Sequence, residues 1–503
     1  MHVRSWLLFA AVVLTCLSVA GVARAVPVTT INIEVDVIPV GASGESQQNS
    51  EPSIAVNPNN TSQLISGAFT GIFSDPPVNV TTPFWISNNG GTTWASFGSL
   101  QTLDKSIAFN GSTPLAATLN RLGNGDTQIQ TFSSTNGLSF NNNLNNFNPS
   151  GDLDQPWIRT GPNNRVYVAY NDLTNFPGKS ASLNVSTDGG ATYTSKLIET
   201  VVPGAGQDGP SVRQAVNGNT VYAVFARWNT LLTTTNGGER FASQEIVVKS
   251  TDGGVTFSAG TQVATPISVF TTAVNSLNSL GQERIGSDNA IAVSRTNANR
   301  VMVAYVDSPN NTGGMQVHVA ESTDGGATWA NKFTTPIGVR SATPAITILD
   351  DGQVVLLYNS FDPQRNELSQ HLIATSDDFA TTTEKILGTE TNTFPARTFD
   401  PYLGDFTDLI SIGDTFYGIF SASNADDGTL ANFLLNGPQL FQRCTVGTAG
   451  APGFHLCDAA FSIDPFFFSG TSFDQTGIPW PGTLTLLGMS SLLGLAALRR
   501  RRK

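Results

Sequence analysis

Side chains able to do acid–base or nucleophilic chemistry are few and scattered in this 503-residue chain. Its four histidines, His2, His318, His371 and His455, share no ligand spacing, so neither a zinc centre nor a Ser-His-Asp triad is expected. No glycine-rich phosphate loop follows a strand and opens a helix; the Gly-Gly pairs belong to hairpin sequences. One pattern does recur. Glu51, Asp154, Asp208, Asp288 and Asp400 each stand at or just before the segment that opens a repeat unit. Two readings are open for these acids. They could ring an axial mouth and take a cation, calcium among them, or a polar ligand. They could equally be solvated turn formers that cap hairpins and keep strand edges from pairing. Trp157 and Trp228 flank the same region and offer faces on which a sugar ring could stack, although core packing is the commoner fate of a tryptophan.

The elements that would position these residues are visible by repetition. The stretch Ser322-Thr323-Asp324-Gly325-Gly326-Ala327-Thr328-Trp329 is rewritten with Ser186, Asp188, Gly190 and Tyr193, with Ser250, Asp252, Gly254 and Phe257, and with Ser87, Asn89, Gly91 and Trp94. Worn copies stand at residues 133–140 and 375–382. Ser and Asp can bond the amides of their own turn, Gly supplies a positive φ, and the aromatic wedges beneath. Before each box stands an alternating strand, and before that an apolar strand ending in an aromatic, such as residues 166–170 or 301–305. With an opening strand and a closing one, each unit is a four-stranded antiparallel sheet that cannot bury both faces alone. The second strands begin near Leu64, Leu115, Val166, Val221, Val301, Val354 and Phe416. Seven units predict an all-β propeller of seven blades; six would follow if the weak second unit, residues 104–140, were irregular. The long gap after Val221 is filled by residues 258–288, read as an insertion between blades. Ile31, Ile33, Val35 and Val37 alternate with polar residues, and this lone strand is expected to complete the last blade.

The Ser-x-Asp-x-Gly-x-Thr-aromatic frame resembles the Asp-box of the bacterial neuraminidase repeat, and the chain is similar to sialidase-like β-propellers. That resemblance implies a front face on which three arginines clamp a carboxylate, a tyrosine assisted by a glutamate attacks, and an aspartate moves the proton. Arginine suits the clamp because its fork binds a carboxylate bidentately. Only Tyr402 lies outside the second strands and the boxes, with Arg397 close by. Arg159, Arg213, Arg284 and Arg340 begin inner strands, and Glu283 could assist the tyrosine. The family's early Phe/Tyr-Arg-Ile-Pro motif is absent, however, and Glu51-Pro52-Ser53-Ile54 stands there instead. An acid at that place repels a substrate carboxylate. The expectation is therefore a module that binds extracellular glycans or surface proteins, with an exo-acting glycosidase of the sialidase type as the alternative.

The ends point to export. Residues 1–25 carry a basic start, an apolar run and Ala23-Arg24-Ala25, the pattern of a secretory signal removed by signal peptidase. The ring is expected over residues 26–443, then an extension over 444–476 in which Cys444 and Cys457 would form a small-loop disulfide. Residues 477–503 hold Pro479-Trp480-Pro481, a short apolar span and Arg499 to Lys503; this resembles a PEP-CTERM sorting signal, with Trp480 where that family has Glu. The resemblance implies a Gram-negative envelope, transient membrane anchoring, cleavage by an exosortase and release to the cell surface or matrix; a plain membrane anchor is the other reading. Removing both ends takes away seven basic and no acidic residues, leaving 19 Lys and Arg against 38 Asp and Glu. Such a surface excludes electrostatic binding of nucleic acid.

Overall fold

The computed structural model describes residues 31–39, 49–69, 81–102, 104–147, 151–172, 180–199, 207–235, 238–271, 284–285, 288–308, 315–376, 378–391, 403–423, 440–448, 451–459 and 463–474. Along some strands, residues 31–39, 440–448 and 451–459 among them, the backbone alone is described. One compact unit, Ile33–Phe473, holds the ring; a second, Met1–Asn32 with Asp474–Lys503, is described only at residues 31, 32 and 474.

Seven antiparallel sheets follow one another. Blade 1 comprises Ser50–Val56, Leu64–Phe69, Thr81–Ser87 and Ala95–Gln101, and blade 2 Lys105–Asn110, Thr113–Arg121, Thr127–Ser133 and Asn142–Phe147. Blade 3 comprises Leu153–Gly161, Arg165–Asp172, Ser180–Ser186 and Thr194–Leu197, and blade 4 is built on Gln207–Asn217, Thr220–Thr235, Gly238–Ser250 and Thr261–Ala264. Blade 5 comprises Ala290–Val293, Val301–Asp307, Gln316–Ser322 and Ala330–Thr334, and blade 6 Arg340–Ile348, Val354–Asp362, Glu367–Thr375 and Thr383–Thr391. Blade 7 runs from Asp408–Ile412 through Thr415–Ser423 and Ile463–Asp474 to Ile31–Pro39 at its outer edge. The inner strand of each blade touches those of its two neighbours, and blade 7 returns to blade 1. The fold is an all-β, seven-bladed propeller closed by its own N-terminal strand.

The core lies between blades, as sheets with two apolar faces require. Ile54, Val56 and Trp85 of blade 1 meet Tyr417, Ile419 and Phe467 of blade 7 in one buried cluster. Ile158, Val166 and Val168 of blade 3 meet Leu115, Ala117 and Ile129 of blade 2 in another. The tyrosines of the second strands are packing residues, with Tyr167, Tyr170 and Tyr222 among the largest fully buried side chains.

Residues 104–140 form a regular blade, as the count of seven requires. Other details depart from the sequence reading. The gap before blade 5 is not a free insertion, because Ile267–Thr271 pairs along the third strand of blade 4 and Arg284–Ile285 pairs with it in turn. Blade 4 also draws its second and third strands out to sixteen and thirteen residues. Beyond Arg443, where the ring was expected to end, Ile463–Asp474 supplies the third strand of blade 7, because the run Phe466-Phe467-Phe468 is apolar enough to be buried on both faces. The intervening hairpin Leu440–Thr448 and Ala451–Ala459 sets Cys444 opposite His455 and Cys457 opposite Gln442. The expected disulfide rests on side chains outside the described residues, as do the export signal and the sorting tail.

The four good turns share one hydrogen-bond pattern. Ser87, Ser186, Ser250 and Ser322 Oγ accept from the amides of Gly91, Gly190, Gly254 and Gly326 at 2.9, 2.9, 2.8 and 2.8 Å. Each serine hydroxyl donates to Asn89, Asp188, Asp252 or Asp324, whose Oδ1 accepts the amide of the following threonine. Those glycines have φ near +90°, which a side chain resists. In the worn copy of blade 6, Phe379 takes that place at φ 69° and still donates to Thr375 Oγ1. Trp94 meets Phe467 of blade 7 edge-on at 5.4 Å, so the aromatic slot staples the neighbouring blade. A Ser322→Ala protein leaves a buried amide unpaired and is expected to lose about 1–3 kcal/mol, read as a lower urea midpoint. An unchanged midpoint would remove the turn from the stabilising elements.

Candidate functional site

The inner strands open at one end of the axis, and their first residues are shaped by a shared irregularity. In Glu51-Pro52, Gln155-Pro156 and Thr343-Pro344 the residue before proline has φ of 51°, 48° and 52°. Proline disfavours a helical backbone on its N-terminal side, so three such residues are strained, on the order of 1–3 kcal/mol each. Each lies where the ladder to the second strand slips: between Ser50 and Ser53, Asp154 and Trp157, and Ala342 and Ala345. The bulge re-aims the side chain. This repeated residue-before-proline is a sequence signal that the acids alone did not convey.

What these residues meet is a buried charge network. Arg159 Nη2 donates to Asp408 Oδ1 at 3.0 Å, and the other oxygen of Asp408 accepts the amide of Ile54 at 3.2 Å. Gln155 bridges Arg213 to Asp405, accepting from Nη2 at 3.1 Å and donating to Oδ2 at 3.2 Å. Glu51 Oε1 accepts the amide of Asp405 at 3.2 Å, and Lys105 Nζ donates to the Glu51 carbonyl. Arg213 and Arg159 cover Trp157 at 3.9 and 4.7 Å, and Trp157 meets Phe406 edge-on at 5.3 Å. Burial, then the charges of Asp104 and Asp405, push the Glu51 carboxyl well above its ordinary range. Burial also lowers Lys105 to about 8 and Arg213 to about 10. The chamber lined by Trp157, Arg159, Arg213, Asp405 and Asp408 measures about 30 Å³. Below it an axial channel of about 270 Å³ runs between apolar residues such as Ile107, Ile291 and Ile346, with Arg159 and Gln214 lining both spaces.

The expected site residues fare unequally. Arg159 and Arg213 converge, while Arg340 stands apart over Phe361 at 5.7 Å. Glu51, Asp154 and Asp288 are buried rather than solvated around a mouth. Asp154 accepts from the amide of Gln155 and Asp288 from that of Thr343, at 3.0 and 2.7 Å. Both tryptophans take the packing alternative in this fold: Trp157 is covered by guanidinium groups, and Trp228 stacks on Phe241 at 4.5 Å, each under 5% exposed. Asp208 and Arg284 are described as backbone alone, and Glu283, Arg397, Asp400 and Tyr402 lie outside the described residues. Lys105, Gln155, Asp405, Phe406 and Asp408 are central yet were not singled out from the sequence. Among the described residues no group of three His, Cys, Asp or Glu is placed to hold a metal ion.

A second buried acid lies between blades 4 and 5. Glu245 accepts from Asn289 Nδ2 at 3.1 Å, and burial raises its carboxyl to about 8. Between an unfolded value of about 4.3 and the folded one, the native protein keeps a proton that the unfolded chain releases. Its contribution is therefore complete at acid pH and is lost as pH rises through that window. Glu245→Gln is expected to match the parent near pH 4 and to be more stable on the order of 3 kcal/mol at pH 7, by urea midpoints across pH. Parallel pH curves for the two proteins would mean that Glu245 is ionised in the fold.

No family profile matches the chain, and no curated protein matches it. Similar solved structures include an α-L-arabinofuranosidase from Fusarium graminearum, at 11% identity over 67% of this chain and 94% of that one, TM-score 0.43. A protein of unknown function from Dyadobacter fermentans is 16% identical over 72% and 100%, TM-score 0.40. The leech intramolecular trans-sialidase is 12% identical over 72% and 70%, TM-score 0.40. None of these likenesses assigns a residue or a reaction to this chain, and its seven blades rest on the strand pairing above.

Proposed function

We propose that the ring is an exported binding module of the bacterial cell exterior, presenting loops to glycans or surface proteins, and that its axial centre does not hydrolyse glycosides. One observation carries this: Arg159 and Arg213, which would have to clamp a substrate carboxylate, are already engaged by Asp408 and by Gln155 with Asp405. A ligand carboxylate would have to displace Asp408 from Arg159. The charge of the processed body and the two terminal signals support the exported setting. The exo-glycosidase reading keeps one observation in its favour, the convergence of two arginines at the axis. Residues 26–475 are expected to release no fluorogenic leaving group from a panel of α-sialosides and other exo-glycosides, yet to mark spots on a glycan array or a surface-protein pull-down. Turnover that disappears in Tyr402→Phe would replace this reading with the glycosidase.

A further inference from the structure

Away from the axis, blade 6 places a serine, a histidine and a glutamate in line. Tyr358 pairs with His371 across the second and third strands, and Ser360, two residues on, shares the Tyr358 face. Ser360 Oγ lies 2.6 Å from His371 Nε2, and His371 Nδ1 lies 2.7 Å from Glu384 Oε1 on the outer strand. The Tyr358 hydroxyl donates to the same Glu384 oxygen at 3.3 Å, and its ring stacks on the imidazole at 4.7 Å and 4°. The hydrogen bond to His371 holds the Glu384 carboxyl below its usual range, so it is a carboxylate at neutral pH. A carboxylate only accepts, which puts the ring proton on Nδ1 and turns the Nε2 lone pair to the serine hydroxyl. That is the polarity of a serine nucleophile with its general base and the base's orienting acid.

Blade 5 supplies an internal comparison. Tyr305 stacks on His318 at 5.2 Å in the same register, yet His318 Nδ1 meets Thr334 at 2.9 Å, and Asp307 stands where blade 6 has Ser360. The stack is thus a shared packing device, and it forms without the serine and glutamate. Those two are additions of blade 6.

We propose that Ser360, His371 and Glu384 form an esterolytic site on blade 6, acting on short-chain carboxylic esters such as acetyl esters. Ser360 Oγ attacks the ester carbonyl while its proton passes to His371 Nε2. The intermediate collapses, the alcohol leaves with that proton, and acetyl-Ser360 remains. A water, deprotonated by Nε2, then releases the carboxylic acid and restores the serine. Ser360 and His371 are catalytic residues here, and Glu384 is a positioning residue. Ser360 is 4% exposed whereas the Glu384 side chain is 46% exposed, so access is narrow and the acyl group must be small.

The test uses the intact protein with diisopropyl fluorophosphate and with p-nitrophenyl acetate. The first forms an Oγ–P bond and expels fluoride, with the serine proton leaving through His371; mass mapping is expected to find the adduct on Ser360. Acetate release is expected to fall at least about 100-fold in Ser360→Ala and in His371→Ala, and to be unchanged in His318→Ala. Glu384→Gln is expected to lower kcat while KM stays put, the mark of a group that acts through the histidine. No adduct on Ser360 in the native protein, or hydrolysis that survives Ser360→Ala, would overturn the assignment, and the adduct measurement needs no variant to fold.

Discussion

An Asp408→Ala protein should unfold about 3–5 kcal/mol more easily than its parent, because removing one partner of a buried pair leaves the other charge uncompensated. Asp408 is 2% exposed and accepts from both Ile54 N and Arg159 Nη2, so the truncation strips an amide and a guanidinium of the same acceptor. Arg159 then stands over Trp157 beside the buried Arg213, a pair of cations in one chamber. Sulfate should bind there and recover part of the loss, while the parent, whose guanidinium is already paired, should gain less. Replacing the pair together, Arg159→Met with Asp408→Leu, should be milder than Asp408→Ala alone, since an apolar pair leaves no orphaned charge. Urea unfolding of the three proteins with and without sulfate decides it. A loss under about 1 kcal/mol would mean that water already screens the pair, as at a surface.

Gly404→Ala is expected to cost about 3 kcal/mol or more, from a positive φ and an overlap together. Its φ is 93°, and a Cβ there would lie 2.2 Å from Glu51 Cγ and 2.5 Å from Glu51 N. Those atoms belong to the latch joining the entry of blade 7 to blade 1, where Glu51 N donates to Leu403 O and Asp405 N to Glu51 Oε1. Gly413 is the control: φ is 61° with nothing within 4 Å of a Cβ, so Gly413→Ala should lose only about 1–2 kcal/mol for backbone strain. Equal losses at the two positions, measured by chemical unfolding, would show that blade 7 can shift away from Glu51 at little cost.

Seven blades, their second strands, the closing N-terminal strand and the tight turns were all legible in the chain. Each is written in local pattern: alternation of period two, apolar runs ending in an aromatic, and Ser, Asp and Gly at fixed offsets in a turn. What surrounds a strand's end was not legible, because it depends on partners far along the chain. Lys105 reads as a polar residue beside Asp104, yet ring closure buries it against Glu51. Asp408 reads as one more acid, and the propeller brings it to Arg159 across 249 residues. His371 reads as isolated, since Ser360 and Glu384 stand 11 and 13 residues away; antiparallel register, which sets side by side residues that a turn separates, makes them neighbours. Sequence alone thus determined the repeating sheet, whose signals are local, whereas register and closure of the ring decided which charges and nucleophiles meet.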